Sequence, residues 1–340
     1  MKKLVSLVLV LALTVGMCMS LASCKKEDQI KINPDKSEYV VGIVQLVPHV
    51  ALDAATQGFK DALEAKLKEA GRTVKFKYDN AAGDANTCTT IVNSYVSDDV
   101  DLIMANATAA LAAAANATHT IPVLGTSITE YGVALEIDGF DGVVGGNVSG
   151  TSDLAPLDQQ AQMMIDILGL KSGDKVGLLY CSAEPNSQYQ VAVVKQYLSD
   201  RGMVCAEYKF TDTNDLQSVT QSAQENSDAI YVPTDNMVAS STETINNVCF
   251  GKVPIFAGEE GICAGCGFAT LSISYYNIGY KTGEMAAEIL LGKTDITTLP
   301  IAYDQAPVKK YNKTICDAFG IDTAALDALG YVAIETSGDN

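Results

Sequence analysis

Short β-branched runs alternate with longer helical patterns along most of this chain, and near the middle the alternation starts over. Strands separated by helices build parallel sheets covered on both faces, so an α/β architecture follows. In the first half, residues 40–47, 74–78, 100–105 and 121–125 read as strands, with helices over 51–70, 86–96 and 109–117. Phe59, Leu63 and Leu67 share one face of the first helix at the expected spacing. A turn-rich passage over 142–153, carrying Gly145-Gly146-Asn147 and Gly150, reads as the crossover. The second half then repeats the pattern, with strands over 175–181, 204–210, 229–233 and 253–257 and helices over 159–168, 188–200, 216–225 and 236–248. A last helix, 275–291, returns the chain to the first half. Two tandem, doubly wound, Rossmann-like halves predict two lobes joined by a hinge. Residues 38–152 plus about 276–304 would form the N-terminal lobe, and 153–275 plus about 305–335 the C-terminal lobe. Open α/β sheets bind ligands beyond the carboxyl ends of their strands, so an interlobe cleft is the place to look for function.

Ahead of this body stand Met1-Lys2-Lys3, an apolar run over 4–19, and Leu21-Ala22-Ser23-Cys24. A charged start, an apolar middle and small residues before a cysteine look like a bacterial lipoprotein signal peptide, with residues 1–23 removed and Cys24 lipidated. Ser20 and Lys25-Lys26 cut the apolar run short of the ~20 residues that span a bilayer. Residues 24–37 are charged and read as a flexible tether. The expected location is extracytoplasmic, anchored by lipid to the bacterial cell membrane.

Lys and Arg number 23 against 41 Asp and Glu, for a formal net charge of −18, which argues against a nucleic-acid partner. The absence of Trp counts mildly against stacking of sugar rings on indole. Of the cysteines, Cys18 leaves with the signal and Cys24 takes the lipid, which leaves an odd number that sit mostly in apolar runs and read as buried free thiols. Cys263 and Cys266 have a spacing suited to metal or redox chemistry. No second such pair exists, and His49 and His119 are the only histidines, so neither metal nor cofactor is predicted. Nucleophile-elbow, Walker and zinc-protease motifs are all missing, so no enzymatic activity is predicted.

The loops after the strands carry the candidate binding groups. Asn106-Ala107-Thr108-Ala109 and Thr126-Ser127-Ile128-Thr129 offer hydroxyls and a helix start, suited to a carboxylate or to plain helix capping. In the second half, Glu184-Pro185-Asn186-Ser187 and Thr234-Asp235-Asn236 place carboxylates where an ammonium group could be held. Asp235 could equally cap the following helix, and Glu184 could be a solvated loop charge. Tyr131, Tyr189, Tyr275 and Tyr276 lie in or beside loops and could face an aromatic or apolar ligand. His49 follows the first strand on the cleft side, where it could contact ligand or face solvent.

Taken together, these strings resemble the ABC-transporter substrate-binding lipoproteins of the tryptophan/tyrosine-binding type, which have the type I periplasmic-binding fold. The strings are Gly42-Ile43-Val44-Gln45 with His49 and Ala51-Leu52-Asp53, residues 123–129, Gly145-Gly146-Asn147-Val148-Ser149-Gly150, Glu184-Pro185-Asn186-Ser187, Tyr231-Val232-Pro233-Thr234-Asp235-Asn236 and Tyr275-Tyr276-Asn277-Ile278-Gly279. The resemblance spans about residues 38–310. It implies a monomeric receptor that closes on an amino acid, often aromatic, and delivers it to a permease and its ATPase. By position it marks Thr108, Ser127 and Thr129 on the carboxylate side and Asn186, Ser187, Asp235, Asn236 and Tyr276 on the rest of the cleft. Gln45, His49, Asn106, Ala109 and Glu184 complete the candidate set. Ala109, Glu130-Tyr131 and Ser274 depart from the family's usual residues and bear on the ligand's side chain. A sensor, a sugar or nucleoside binder on the same fold, and an enzyme using the cleft carboxylates are the alternatives. Replacing Cys24 with serine is expected to move the protein from the membrane fraction of a bacterial host to its soluble extracytoplasmic fraction and to abolish fatty-acid labelling. Retention at the membrane would remove Cys24 as the anchor.

Overall fold

The computed structural model describes residues 29–303 and 306–334. The proposed signal peptide, Cys24 and the first residues of the tether lie outside them. Strands β1 (Glu38–Gln45), β2 (Thr73–Asn80), β3 (Leu102–Asn106), β4 (Val123–Ile128) and β5 (Val148–Ser152) make a parallel sheet in the order β2-β1-β3-β4-β5. Helices α1 (Val50–Glu69), α2 (Ala85–Ser97), α3 (Thr108–Ala117) and α4 (Tyr131–Ala134) connect them. Every residue of β3 and β4 is buried, as expected for strands covered on both faces, whereas the edge strand β2 is half exposed.

The second sheet repeats this winding. Strands β6 (Lys175–Cys181), β7 (Val204–Phe210), β8 (Ala229–Val232), β9 (Ile255–Ala257) and β10 (Ala269–Ser272) are parallel in the order β7-β6-β8-β9-β10. Their helices are α5 (Leu157–Leu168), α6 (Pro185–Ser199), α7 (Thr213–Asn226), α8 (Asn236–Ala239), α9 (Thr242–Cys249) and α10 (Glu260–Cys266). The chain then returns to the first lobe through α11 (Tyr275–Leu290) and β11 (Ala302–Tyr303), which pairs with β5. It ends in the second lobe with β12 (Val308–Tyr311), α12 (Lys313–Phe319), α13 (Thr323–Ala328) and β13 (Val332–Ala333). Each sheet packs its own buried cluster, centred on Val44, Ile103 and Leu111 in the first lobe and on Leu178, Tyr231 and Phe256 in the second. Among the described residues no helix is long and apolar enough to cross a membrane.

Two local readings are corrected. Residues 148–152, read as part of a turn-rich crossover, form β5, and the crossover begins at Asp153. Gly150 there is a packing requirement, because a Cβ at that position would lie 2.1 Å from the Gly125 carbonyl oxygen and 2.4 Å from the Tyr131 hydroxyl. The helix expected over 236–248 is broken by Ser240-Ser241 into α8 and α9. Strand β10 and helix α10 had no counterpart in the sequence reading.

Helix α11 is held on α1 by direct backbone contact. A Cβ at Gly279 would stand 2.0 Å from the Ala55 carbonyl oxygen, and one at Gly58 would stand 2.2 Å from that of Tyr276. Neither position has room for a side chain, and the clash is with backbone rather than a flexible neighbour. Gly279→Ala is therefore expected to cost about 1–3 kcal/mol, the usual penalty for overpacking, read as a lowered thermal midpoint. A wild-type midpoint would contradict the close crossing.

Candidate functional site

Strand order reverses between β1 and β3 in the first sheet and between β6 and β8 in the second, and such switch points open crevices at the carboxyl ends of strands. The two crevices face one another across a small cavity that is nearly closed, with only about 10 Å³ of space inside it. His49, Leu52 and Ser127 line it from the first lobe. Asn186, Thr234, Asp235, Asn236, Ala239 and Glu259 line it from the second, and Asp153 and Tyr275 from the hinge. The lobes touch around it. His49 Nε2 lies 3.2 Å from Asn236 Oδ1, and Gln190 Nε2 donates to Thr129 Oγ1 at 3.4 Å. The Asn236 amide nitrogen donates to Glu184, so its oxygen faces the histidine and His49 Nε2 carries the proton. Burial holds the His49 pKa below its usual value, which leaves the ring neutral at pH 7.

Second-lobe carboxyl groups are tied to the backbone. Asp235 accepts from Cys181 N at 2.7 Å, Ser187 Oγ at 2.8 Å and Val238 N at 2.9 Å, so it caps α8 and fixes the end of β6. Glu184 accepts from the Asn236 backbone N–H at 3.1 Å, the Asn236 amide at 2.7 Å and Met237 N at 3.0 Å, so it too is used by the start of α8. Glu259 caps α10 through Gly261 N at 2.6 Å and Ile262 N at 2.5 Å. Asp153 differs: Oδ2 accepts from the Tyr275 hydroxyl at 2.9 Å, while Oδ1 has no partner. Asn186 Oδ1, Ser127 Oγ and Thr234 Oγ1 are likewise buried without partners on the cavity wall. Ser127 also holds a left-handed backbone, φ +57°, where the β4–β5 register shifts, and Ala107 ahead of α3 has φ +90°. Strain of this kind in non-glycine residues concentrates at functional sites.

The sequence-predicted residues separate into several groups. His49, Ser127, Asn186, Asp235 and Asn236 meet at the cavity. Gln45 and Asn106 lie behind it: Thr56 Oγ1 donates to Gln45 Oε1 at 2.7 Å, Asn106 Nδ2 donates to Leu52 O at 2.8 Å, and Gln45 Nε2 donates to Asp53 Oδ1 at 2.7 Å, so this network seats α1. Thr129, Glu184 and Ser187 are buried supports, and Thr108 and Ala109 line a separate groove with Asn86 and Pro185. Tyr276 is corrected. It is 40% exposed on the outer face of α11, with its hydroxyl on Asp61 Oδ2 at 2.9 Å, and Tyr275 occupies the cavity instead. One residue along a helix turns a side chain by about 100°, so a tyrosine pair at a helix start can present only one ring to the cleft. Asp153 and Glu259 were missed as site residues, and Thr234 and Tyr275, though noted beside the cleft, were left out of the candidate set. Glu259, which follows a predicted strand, could have been found by the same strand-end rule that found Asp235. Tyr131 is a core residue whose hydroxyl donates to Thr151 O at 3.0 Å, and Tyr189 packs on the second-lobe core. Cys263 and Cys266 are buried free thiols whose pKa values burial raises. Among the described residues no group of three or more His, Cys, Asp and Glu is placed to hold a metal ion.

A two-lobed α/β body with a polar cavity at facing switch points defines a binding protein for a small solute. The chain matches the family model for ABC transporter substrate binding proteins over residues 40–324 and belongs to that family. It is 32% identical over 338 residues to a tyrosine-binding protein of Clostridioides difficile, covering 97% of this chain and 96% of that protein. The structure of an ABC domain from Streptococcus pneumoniae in complex with L-Trp superposes with a TM-score of 0.79 at 29% identity, covering 87% of this chain and all of that one. The ligand-free, open structure of a substrate-binding protein with adhesive properties from Clostridium difficile gives a TM-score of 0.66 at 32% identity, covering 88% of this chain and all of that one. Higher identity with lower superposition fits the interlobe bonds above, which describe lobes drawn together. The fold is that of the type I periplasmic binding proteins.

Burial without a cation pushes Glu184 up to about 8, with the Asp235 charge adding to it, and Glu259 up to about 7, and it raises Asp235 and Asp153 as well. A carboxyl with a raised folded value holds a proton that the unfolded chain loses near pH ~4.3, so stability is fullest below that pH and falls as pH rises through the folded values. The thermal midpoint of the ligand-free protein is expected to fall between pH 5 and pH 8. A flat or rising midpoint over that range would contradict the buried state of Glu184 and Glu259.

Proposed function

We propose that this chain is the extracytoplasmic, lipid-anchored receptor of an ABC importer, closing on one amino acid, with tyrosine or tryptophan favoured, and presenting it to a permease and its ATPase. The reading is carried by the unpartnered polar atoms of the cavity. Asp153 Oδ1 and Asn186 Oδ1 are acceptors, suited to an ammonium group. Ser127 Oγ stands in the cavity with the start of α1, where no side chain caps the helix and the dipole favours an anion. Leu52, Ala239 and the ring of Tyr275 supply apolar surface for a side chain. Relatives described as tyrosine-binding and as bound to L-Trp support the aromatic preference.

Closure follows from the same contacts. A ligand that touches both lobes at once favours the closed arrangement by its differential affinity for it, and a permease that recognises the closed form then receives only loaded receptor. The lipid on Cys24 would keep the receptor at the membrane, and the tether would let it reach the permease at high effective concentration.

Thermal unfolding of the purified protein against all amino acids, common sugars and nucleosides tests the ligand class. At a concentration one hundredfold above Kd, a true ligand stabilises by about 2.7 kcal/mol. A shift from a sugar or nucleoside with none from any amino acid would overturn the assignment. Asp153→Asn is expected to fold normally and to weaken amino-acid binding ~30-fold or more, the effect of removing one partner of a buried charge pair worth about 2 kcal/mol or more. Unchanged affinity would take the ammonium away from Asp153.

A further inference from the structure

The cavity wall carries carboxyl groups and no lysine or arginine. Asp153, at the β5–α5 crossover, faces Tyr275 at the start of α11, Tyr131 of α4 and Glu259 ahead of α10. Across the cavity stand Asp235 ahead of α8 with Glu184 behind it, and His49 ahead of α1. His49 is neutral at pH 7 and offers no counter-charge. Several carboxylates cannot all ionise in so small a space without a cation, so in the absence of ligand the cleft retains protons. Of these carboxyls Glu184, Asp235 and Glu259 are occupied by backbone N–H groups, whereas Asp153 keeps one oxygen free on the cavity wall.

We propose that the cleft takes its ligand in exchange for a proton: an ammonium group enters against Asp153 as that carboxyl releases its proton to solvent, and the Tyr275 hydroxyl sets how readily the proton leaves. This rests on the amino-acid reading above. The O–H bond of the Asp153 carboxyl breaks, its electron pair stays on the carboxylate, and the proton passes to water or buffer. The ligand's ammonium takes the proton's place beside Asp153, so the local charge there is unchanged, and the ligand's own carboxylate is met at the start of α1. Burial raises the Asp153 pKa above the ordinary carboxylate value, and the Thr129 hydroxyl and then the bond from Tyr275, which favour the ionised form, work against that rise. Tyr275 and Asp153 also stand on two different hinge segments, so the group that exchanges the proton is the one the hinge holds in place.

Isothermal titration of the purified protein with L-tyrosine and with L-tryptophan, at a series of pH values from 4 to 7 in two buffers of different ionisation enthalpy, counts the protons released. Net release is expected wherever the free carboxyl still holds its proton, with affinity rising by up to tenfold per pH unit above the ordinary carboxylate range. Tyr275→Phe should move that rise to higher pH, a shift that loss of packing alone would not produce. Asp153→Asn, titrated at higher ligand concentration, should abolish the release. Binding with buffer-independent heat throughout that series, or release that survives Asp153→Asn, would overturn the proposal alone. Failure of both amino acids to bind at every pH would overturn the amino-acid reading and the proposal with it.

Discussion

Burying carboxyl groups where no cation stands is the constraint around which this cleft is arranged. An isolated buried carboxylate is costly, and the protein meets most of that cost with helix starts. Asp235 and Glu184 both bond to the first turn of α8, and Glu259 bonds to the first turn of α10. The short helices α8 and α10 therefore begin where they do because acidic groups at the strand ends need N–H donors, and those N–H groups need acceptors. Neutral partners and helix dipoles moderate the burial without abolishing it, which is why Glu184 and Glu259 remain raised to about 8 and about 7.

Asp153 sits at the one point where this solution is incomplete. It follows β5, where the chain leaves the first lobe, and its partner Tyr275 stands where the chain returns. One hydrogen bond thus joins two hinge segments inside the cavity. Because α11 is locked backbone-to-backbone on α1, Tyr275 moves with the first lobe, and so does the start of α1 that carries His49. The hinge, the histidine and the free carboxylate oxygen are in this way mechanically one piece, against which the second lobe brings Asn186, Thr234 and Asn236.

The architecture was legible in the sequence because strand and helix periodicities differ and because the pattern is written twice. Strand-end positions such as Asp235 and Ser127 were legible for the same reason, since a doubly wound sheet sends its strand ends to one edge. Asp153 was not, because the strand that positions it, Val148-Ser149-Gly150-Thr151-Ser152, is rich in small residues that resemble a turn, of which Gly150 is in fact demanded by contact with Gly125 and Tyr131. Tyr275 and Tyr276 were indistinguishable as a pair until the helix phase was known. Gln45 and Asn106 show the reverse case. Polar residues at strand ends can be consumed by seating a neighbouring helix, and only the hydrogen bonds to Thr56, Leu52 and Asp53 reveal it.

The two lobes share one strand order and differ in how their cleft-side helices begin. In the second lobe α8 and α10 are capped by acidic side chains, whereas in the first lobe α1 and α3 begin at His49 and Ala107 with no side-chain cap. At the cavity α1 therefore offers an uncompensated N–H dipole from the first lobe, whereas in the second lobe α8 and α10 are capped by acidic groups and α6 is not. On the proposed reading the first lobe and the hinge meet both charged ends of a zwitterion, through the start of α1 with Ser127 and through Asp153, and closure adds Asn186, Thr234 and Asn236 from the second lobe.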